Sequence, residues 1–238
     1  MQVNRVFIRG DTHGDFNFLP YFCLAEKTTK NDILIILGDA GINYYGSPHP
    51  KEMSLKKKIS EENITLFCIR GNHEDRPEDR PEYHLEDVGI GDEVYVSIAQ
   101  PNIWFAQDGG EYKINGKTYL TIGGAYSVDK FYRIIRGWKW VANEILSMEE
   151  RAEILDKIYH KKYNYVLTHT CPIEWEPRDL FLPQVDQSKV NKTMERFLSD
   201  VKNYIDFDHW YFGHYHANRP NIQDKATMLY ESYIELKD

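Results

Sequence analysis

Ile33-Leu34-Ile35-Ile36-Leu37-Gly38-Asp39 is an unbroken apolar run of strand length that stops at a glycine and a carboxylate. Such a run, closed by a turn signal, reads as a buried strand of a mainly parallel sheet. The same grammar recurs four times. Val3 to Ile8 leads to Asp11-Thr12-His13, and Leu66 to Ile69 leads to Gly71-Asn72-His73-Glu74. Tyr165 to Leu167 leads to Thr168-His169-Thr170, and Trp210 to Phe212 leads to Gly213-His214-Tyr215-His216. In open α/β sheets ligands bind beyond the carboxyl ends of the strands, so these five ends can meet in one pocket although they are far apart in the chain.

The segments between them support an α/β reading. Phe16 to Lys30, with a regular part starting near Pro20, and Lys51 to Glu62 are amphipathic and supply the helices of βαβ units. Asp75 to Pro81 reads as a charged loop. Four strands follow at Glu93 to Ile98, Ile103 to Gln107, Glu111 to Ile114 and Lys117 to Gly123, the last two joined by the hairpin turn Asn115-Gly116. Ser147 to Lys161 is a helix with Ser147 and Glu150 in capping-box register, Ser188 to Tyr204 is another, and Met228 to Leu236 alternates as one closing strand.

The chain has 238 residues, a length compatible with one large α/β domain, and one domain over 1–238 is expected. A net charge of −8, from 37 acidic and 29 basic residues, gives no global basic field, so nucleic acid is a possible partner but not a favoured one. No stretch has the length of a membrane span or the form of a secretory signal. Three cysteines, Cys23, Cys68 and Cys171, form no C-x-x-C pair and fit reduced thiols in the cytoplasm. Cys23 and Cys68 are expected in the core, and Cys171, two positions after His169, near the site.

Carboxylate oxygens and neutral imidazoles together suit Mn, Fe or Zn, and an amide oxygen among them is unlike a closed structural zinc site. Asp11, His13, Asp39, Asn72, His169, His214 and His216 make seven candidate ligands, more than one ion needs. Two ions sharing a bridging carboxylate, about 3.5–4 Å apart, clamp both oxygens of an in-line displacement, so phosphoryl transfer is the natural reaction. Gly38, Gly71 and Gly213 stand where each strand must turn and would aim the ligands.

The ordered series D-x-H, G-D, G-N-H-E, T-H and G-H-x-H resembles the calcineurin-like metallophosphoesterase superfamily, from Asp11 to His216. The resemblance implies a four-layer αββα sandwich of two mixed β-sheets flanked by helices, with the metal site at the strand C-terminal ends. It implies Asp11, His13 and His216 on one divalent ion, Asn72, His169 and His214 on a second, and Asp39 bridging them. It further implies hydrolysis of a phosphate ester by a metal-bound hydroxide, with His73 facing the substrate as acid or charge stabiliser. A phosphodiesterase or nuclease is the alternative within the superfamily, and a scaffold without catalysis the alternative outside it.

The pattern also departs from its protein serine/threonine phosphatases, which extend the second motif to G-D-x-x-D-R-G. Here Ile42 and Asn43 stand in place of the aspartate and arginine, leaving Glu74 or Asp75 as the nearest groups to hold His73. The glycine-led segment from Ile122 to Lys130 reads as a binding loop, with Tyr126, Asp129 and Arg133 on the substrate side of the site. Arg76 and Arg80 read as surface loop charge, with phosphate contact as the alternative.

Overall fold

The structure is a computed structural model that describes residues 2–46 and 48–237. Its first half contains β1 (Val6–Arg9), α1 (Leu19–Glu26), β2 (Ile33–Ile36), α2 (Pro50–Glu61), β3 (Thr65–Cys68), β4 (Tyr83–Glu86), β5 (Val94–Ser97) and β6 (Ile103–Phe105). The second half contains β7 (Gly110–Ile114), β8 (Lys117–Ile122), α3 (Lys130–Ile135), α4 (Met148–Ile158), β9 (Lys162–Thr168) and α5 (Thr193–Tyr204). It closes with β10 (Asp206–Phe212), β11 (Arg219–Gln223), β12 (Ala226–Met228) and β13 (Tyr233–Leu236).

These strands form two mixed sheets, in the orders β13-β1-β2-β3-β6-β5-β4 and β11-β12-β10-β9-β8-β7. The centre of each is parallel, β1-β2-β3-β6 in the first and β8-β9-β10-β12 in the second, and antiparallel strands take the edges.

Side chains alternate across a strand, and that alternation builds the layers. Ile8, Ile35 and Phe67 point toward the second sheet, where they meet Tyr119, Leu167 and Tyr211 in the core between the sheets. Their neighbours Phe7, Leu34, Ile36 and Leu66 point the other way, onto Leu19 and Phe22 of α1 and Ile59 of α2. In the second sheet Leu120, Val166, Trp210 and Phe212 face Ile154 and Ile158 of α4 and Phe197, Leu198 and Val201 of α5. Both faces of each sheet are therefore apolar, which is why the central strands read as continuous hydrophobic runs. The expected α/β sandwich of two mixed sheets between helices is the observed architecture.

Local signals are observed at the level of single bonds. Asn115 and Gly116 both have positive φ, 50° and 77°, as a two-residue hairpin turn requires. The Ser147 hydroxyl accepts from Glu150 N at 3.1 Å while the Glu150 carboxylate accepts from Ser147 N at 2.6 Å, the expected reciprocal cap. Two expectations need correction. The tail is not one strand: β12 joins the second sheet beside β10, and β13 joins the first beside β1. The chain crosses between them over Gly10, where any Cβ would stand 2.2 Å from the Leu229 carbonyl oxygen. The helix expected from Ser188 starts only at Thr193, after a separate short 3-10 turn at Gln187–Lys189. Among the described residues no helix is long and apolar enough to cross a membrane.

Candidate metal centre

β1, β2, β3, β9 and β10 end on one edge of the sandwich, and each releases its cluster there. The turns are sharp. His13, Asp39, His214 and His216 all adopt left-handed backbone, with φ of 48°, 47°, 69° and 50°. Histidine and aspartate tolerate that region better than most side chains, yet such conformations cost free energy and cluster at functional sites. Backbone bonds tie the clusters to each other: His13 N donates to Asp39 O at 2.8 Å, and Gly213 N to His169 O at 2.9 Å.

The three strand-end glycines meet the two needs expected of them, left-handed backbone and close approach. Gly38 has a positive φ of 93° and faces the His169 ring, its notional Cβ 2.1 Å from Nδ1. Gly71 and Gly213 are needed for close approach instead: a Cβ would lie 1.9 Å from Asp39 Oδ1 and 2.3 Å from Asp11 Oδ1 respectively.

Asp11, His13 and His216 converge as one group of candidate ligands. Asp11 Oδ2 lies 3.4 Å from His216 Nε2 and 3.8 Å from His13 Nε2, and the two imidazole nitrogens are 2.8 Å apart. Asp11 Oδ1 accepts from His214 N at 2.9 Å, whereas Oδ2 is buried with no hydrogen-bond partner. Burial opposes ionisation of Asp11, but His169 and His216 hold its carboxyl below the usual range. The Asp11 carboxylate in turn raises His216.

Asp39 reaches both halves of the site. Its Oδ2 is 3.7 Å from His169 Nε2 and 3.9 Å from His13 Nδ1, and its Oδ1 accepts from His73 N at 2.8 Å. Asp11, Asp39 and His169 form a second group whose ligand atoms lie within 4.8 Å of one another. Burial works against a charged Asp39 too, yet His169, His73 and His13 hold it ionised.

His169 Nδ1 donates to the Leu37 carbonyl at 2.8 Å, which leaves Nε2 as the nitrogen that faces the site. That nitrogen faces Asn72 Oδ1 at 2.8 Å. The amide is oriented from behind: Asn72 Nδ2 donates to Ser127 Oγ at 2.8 Å, and the Ser127 hydroxyl donates to Glu144. The amide oxygen and the imidazole nitrogen thus converge, close enough to share a cation. His214 stacks edge-on to His169 at 5.0 Å, and desolvation, with His169 nearby, lowers it to about 3, leaving a neutral imidazole. An unpartnered buried carboxylate oxygen, a second buried carboxylate, imidazole nitrogens and an amide oxygen form a donor set that fits divalent metal.

His73 is packed beside this set. Its Nε2 lies 3.5 Å from an Arg133 guanidinium nitrogen, and Arg133 Nε donates to Asp129 at 2.7 Å. Burial, aided by Arg133, keeps His73 below the usual imidazole range against the pull of Asp39. Glu74 and Asp75 are not the groups that hold His73. Glu74 is buried and accepts from Ala40 N and Gly41 N at 3.1 Å each, bracing the second cluster, and burial raises it to about 8. Asp75 is paired with Arg80 and Lys139. Ile42 lies in the core against α1 and α2, while Asn43 accepts from the Tyr83 hydroxyl at 2.9 Å, so the positions that depart from the phosphatase motif are structural.

Tyr126 lines a cleft with Asp39, Asn72, His73 and Asp129, and Arg133 lines a second cleft on the other side of His73 and Asp39. Arg76 and Arg80 are neither surface charge nor placed at the site. Arg76 is buried against Glu150 and the Asn143 carbonyl, and Arg80 against Glu52 and Asp75. Cys171 lies outside both ligand groups, with Sγ 3.7 Å from the Tyr215 hydroxyl. The sequence had not singled out Ser127 and Glu144: Ser127 is marked only by its place in the glycine-led segment, and Glu144, well beyond that segment, by no local signal.

The calcineurin-like phosphoesterase family model matches residues 5–218. No curated protein matches the sequence. One solved structure is similar over 97% of this chain and 94% of its own, at 14% identity and a TM-score of 0.48. Another, TT1561 of Thermus thermophilus, is similar over 97% of this chain and 90% of its own, at 12% identity and a TM-score of 0.46. The family match spans all five strand-end clusters, and the chain belongs to the calcineurin-like phosphoesterases, a family of metal-dependent phosphoester hydrolases.

Proposed function

We propose that this phosphoesterase works with two divalent ions. Asp11, His13 and His216 would hold one, Asn72, His169 and His214 the other, and Asp39 would bridge them. The observation that carries the reading is the buried, unpartnered Asp11 Oδ2 with His216 and His13 nitrogens 3.4 and 3.8 Å away. The donor set suits Mn, Fe or Zn, and manganese is the first to try. Bound ions would supply charge neutralisation at the phosphoryl group and an activated water.

The chain's own residues do the rest. His73 stands over Asp39, where it stabilises the phosphoryl charge or protonates the leaving oxygen. Arg133, fixed by Asp129, stands where a guanidinium can bind a phosphoryl oxygen, a role the second motif lacks here. Tyr126 borders the adjoining cleft and orients the ester. The core shared by both sheets supports residues 1–238 acting as one domain. Free, buried cysteines support a reducing compartment such as the cytoplasm.

A phosphodiester is the second reading, favoured because Asp39 and His73 line two clefts, which gives room for a group on each side of phosphorus. The excess of acidic residues weighs against a nucleic-acid polymer. Hydrolysis of chromogenic mono- and diesters with added manganese, alongside cleavage of single-stranded RNA, separates these substrates. His73→Ala is expected to keep its metal and lose about 10²–10⁴-fold in rate, whereas Asp39→Asn loses metal occupancy. Parental activity in His73→Ala would remove that residue from the chemistry.

A further inference from the structure

The two clefts that meet at His73 differ in kind. One, of about 510 Å³, mixes charged groups, Lys51, Glu52 and Arg133 among them, with Tyr44, Tyr45, Leu55 and Trp138. The other, of about 390 Å³, has Asn72, His73, His214 and His216 on its floor. Its walls are Val128 from the glycine-led loop and Leu180, Phe181, Leu182, Val185 and Val190 from the segment facing it. Leu180, Val128 and Leu182 remain 37%, 42% and 51% exposed. Scattered exposed aliphatics are ordinary, but six apolar side chains from two separate segments converging on one polar floor have the form of a ligand pocket.

The walls are fastened in place. Arg219 pairs with Asp179 at one end of the facing segment, and Lys192 pairs with Glu176 beyond the other. The Phe181 ring stacks on Tyr215 at 6.4 Å and lies 4.7 Å beneath Lys192 Nζ. Of the charged groups that border the cleft, Lys192 is held by Glu176, Asp129 Oδ2 by Arg133 and Glu195 Oε1 by the Thr170 hydroxyl at 3.0 Å, while Glu195 Oε2 and Asp129 Oδ1 are buried without a partner. What the cleft offers a ligand is mainly apolar surface, continuous with the candidate metal site.

We propose that this cleft binds the apolar arm of the substrate, so that the ester is one whose phosphate carries an uncharged aliphatic or aromatic group. The proposal rests on the reading of the floor as a phosphoester site. Burying the arm against Phe181 and Leu182 removes apolar surface from water on both partners, which favours longer arms over shorter ones.

The test is a series of methyl, butyl, hexyl and octyl phosphates, with phosphate release measured in the manganese-loaded protein. Expected is a rise in kcat/KM of up to about fourfold for each methylene that becomes buried. Leu182→Asp should flatten the series, while Leu85→Asp, at an exposed leucine of β4 outside the cleft, should keep it. A flat series in the parent protein, or an unchanged slope in Leu182→Asp, overturns the proposal. Absence of turnover for every ester counts against the hydrolytic reading alone. The arm is then read from calorimetric Kd values of the matching alkylphosphonates, where affinity rising with chain length supports the subsite and a constant affinity overturns it.

Discussion

Replacing Ser127 by alanine removes one oxygen that touches none of the candidate ligand atoms, and its expected effect is on metal affinity. Ser127, Asn72 and Glu144 are at most 2% exposed. The Ser127 hydroxyl spends its proton on Glu144, so its lone pairs accept from Asn72 Nδ2 at 2.8 Å, and Ser127 N also donates to Glu144 at 3.2 Å. This chain of donors is what turns Asn72 Oδ1 toward His169 Nε2 rather than away from it. Without Oγ a buried amide donor is stranded, at a cost of about 1–3 kcal/mol. For a chain of this length that lowers Tm by about 2–12 °C. The amide also loses the bond that distinguishes its oxygen from its nitrogen, and groups that orient metal ligands are worth about 10–100-fold in affinity. Calorimetric titration of manganese into the chelated protein, with a thermal melt of the same sample, measures both quantities. A Ser127→Ala protein that melts lower but binds manganese with parental affinity refutes the reasoning, because the relay would then be structural only.

Gly38→Ala places a side chain at φ 93°, with Cβ 2.1 Å from His169 Nδ1. Left-handed strain and overpacking together should cost about 2–5 kcal/mol, read as a lower urea midpoint, and an unchanged midpoint would contradict the close approach. Asp32 is buried, which disfavours its charge, but bonds from Arg5 Nε at 2.9 Å and Thr29 N at 2.6 Å outweigh burial and lower its pKa. A carboxylate lowered in the folded state adds stability above its unfolded value near about 4 and loses it as pH falls through the folded value. Asp32→Asn should therefore be less stable than the parent by about 1–3 kcal/mol at pH 7, with the gap closing below about pH 4. Urea unfolding at pH 7 and pH 3 checks this, and a gap that does not change with pH would show that the ion pair is not its source.

The five clusters were legible because each rests on local signals: a run buried on both faces and a polar group soon after it, with a glycine at a point of close approach in four of the five. The central strands Ile33–Ile36 and Thr65–Cys68 were legible for the same reason. Two of the four edge strands were not. Tyr83–Glu86 and Arg219–Gln223 have mostly exposed or half-buried residues and present no apolar run to find. Helix Lys130–Ile135 has no buried residue, so its sequence carries no amphipathic stripe. Arg76 and Arg80 were misread as surface charge because their partners, Glu150 and Glu52, are 74 and 28 positions away. The same limit hid the relay behind Asn72. Ser127 lies 55 residues from it, and no local pattern records a bond between them. The substitution of Ile42 and Asn43 and a substrate-side place for Arg133 are both legible in sequence, whereas the 3.5 Å approach of Arg133 to His73 Nε2 is not.

The left-handed turns at His13, Asp39, His214 and His216 have a consequence for how this protein can change. At about 1–2 kcal/mol each for a side chain held there, they take up a sizeable part of the about 5–15 kcal/mol that separates a folded domain from its unfolded chain. Selection for heat resistance alone would therefore push these four positions toward glycine or asparagine and dismantle the candidate metal centre as it did so. Stability and chemistry make opposite demands at the same residues, so a thermostable variant that keeps its activity must draw its gains from elsewhere in the sandwich.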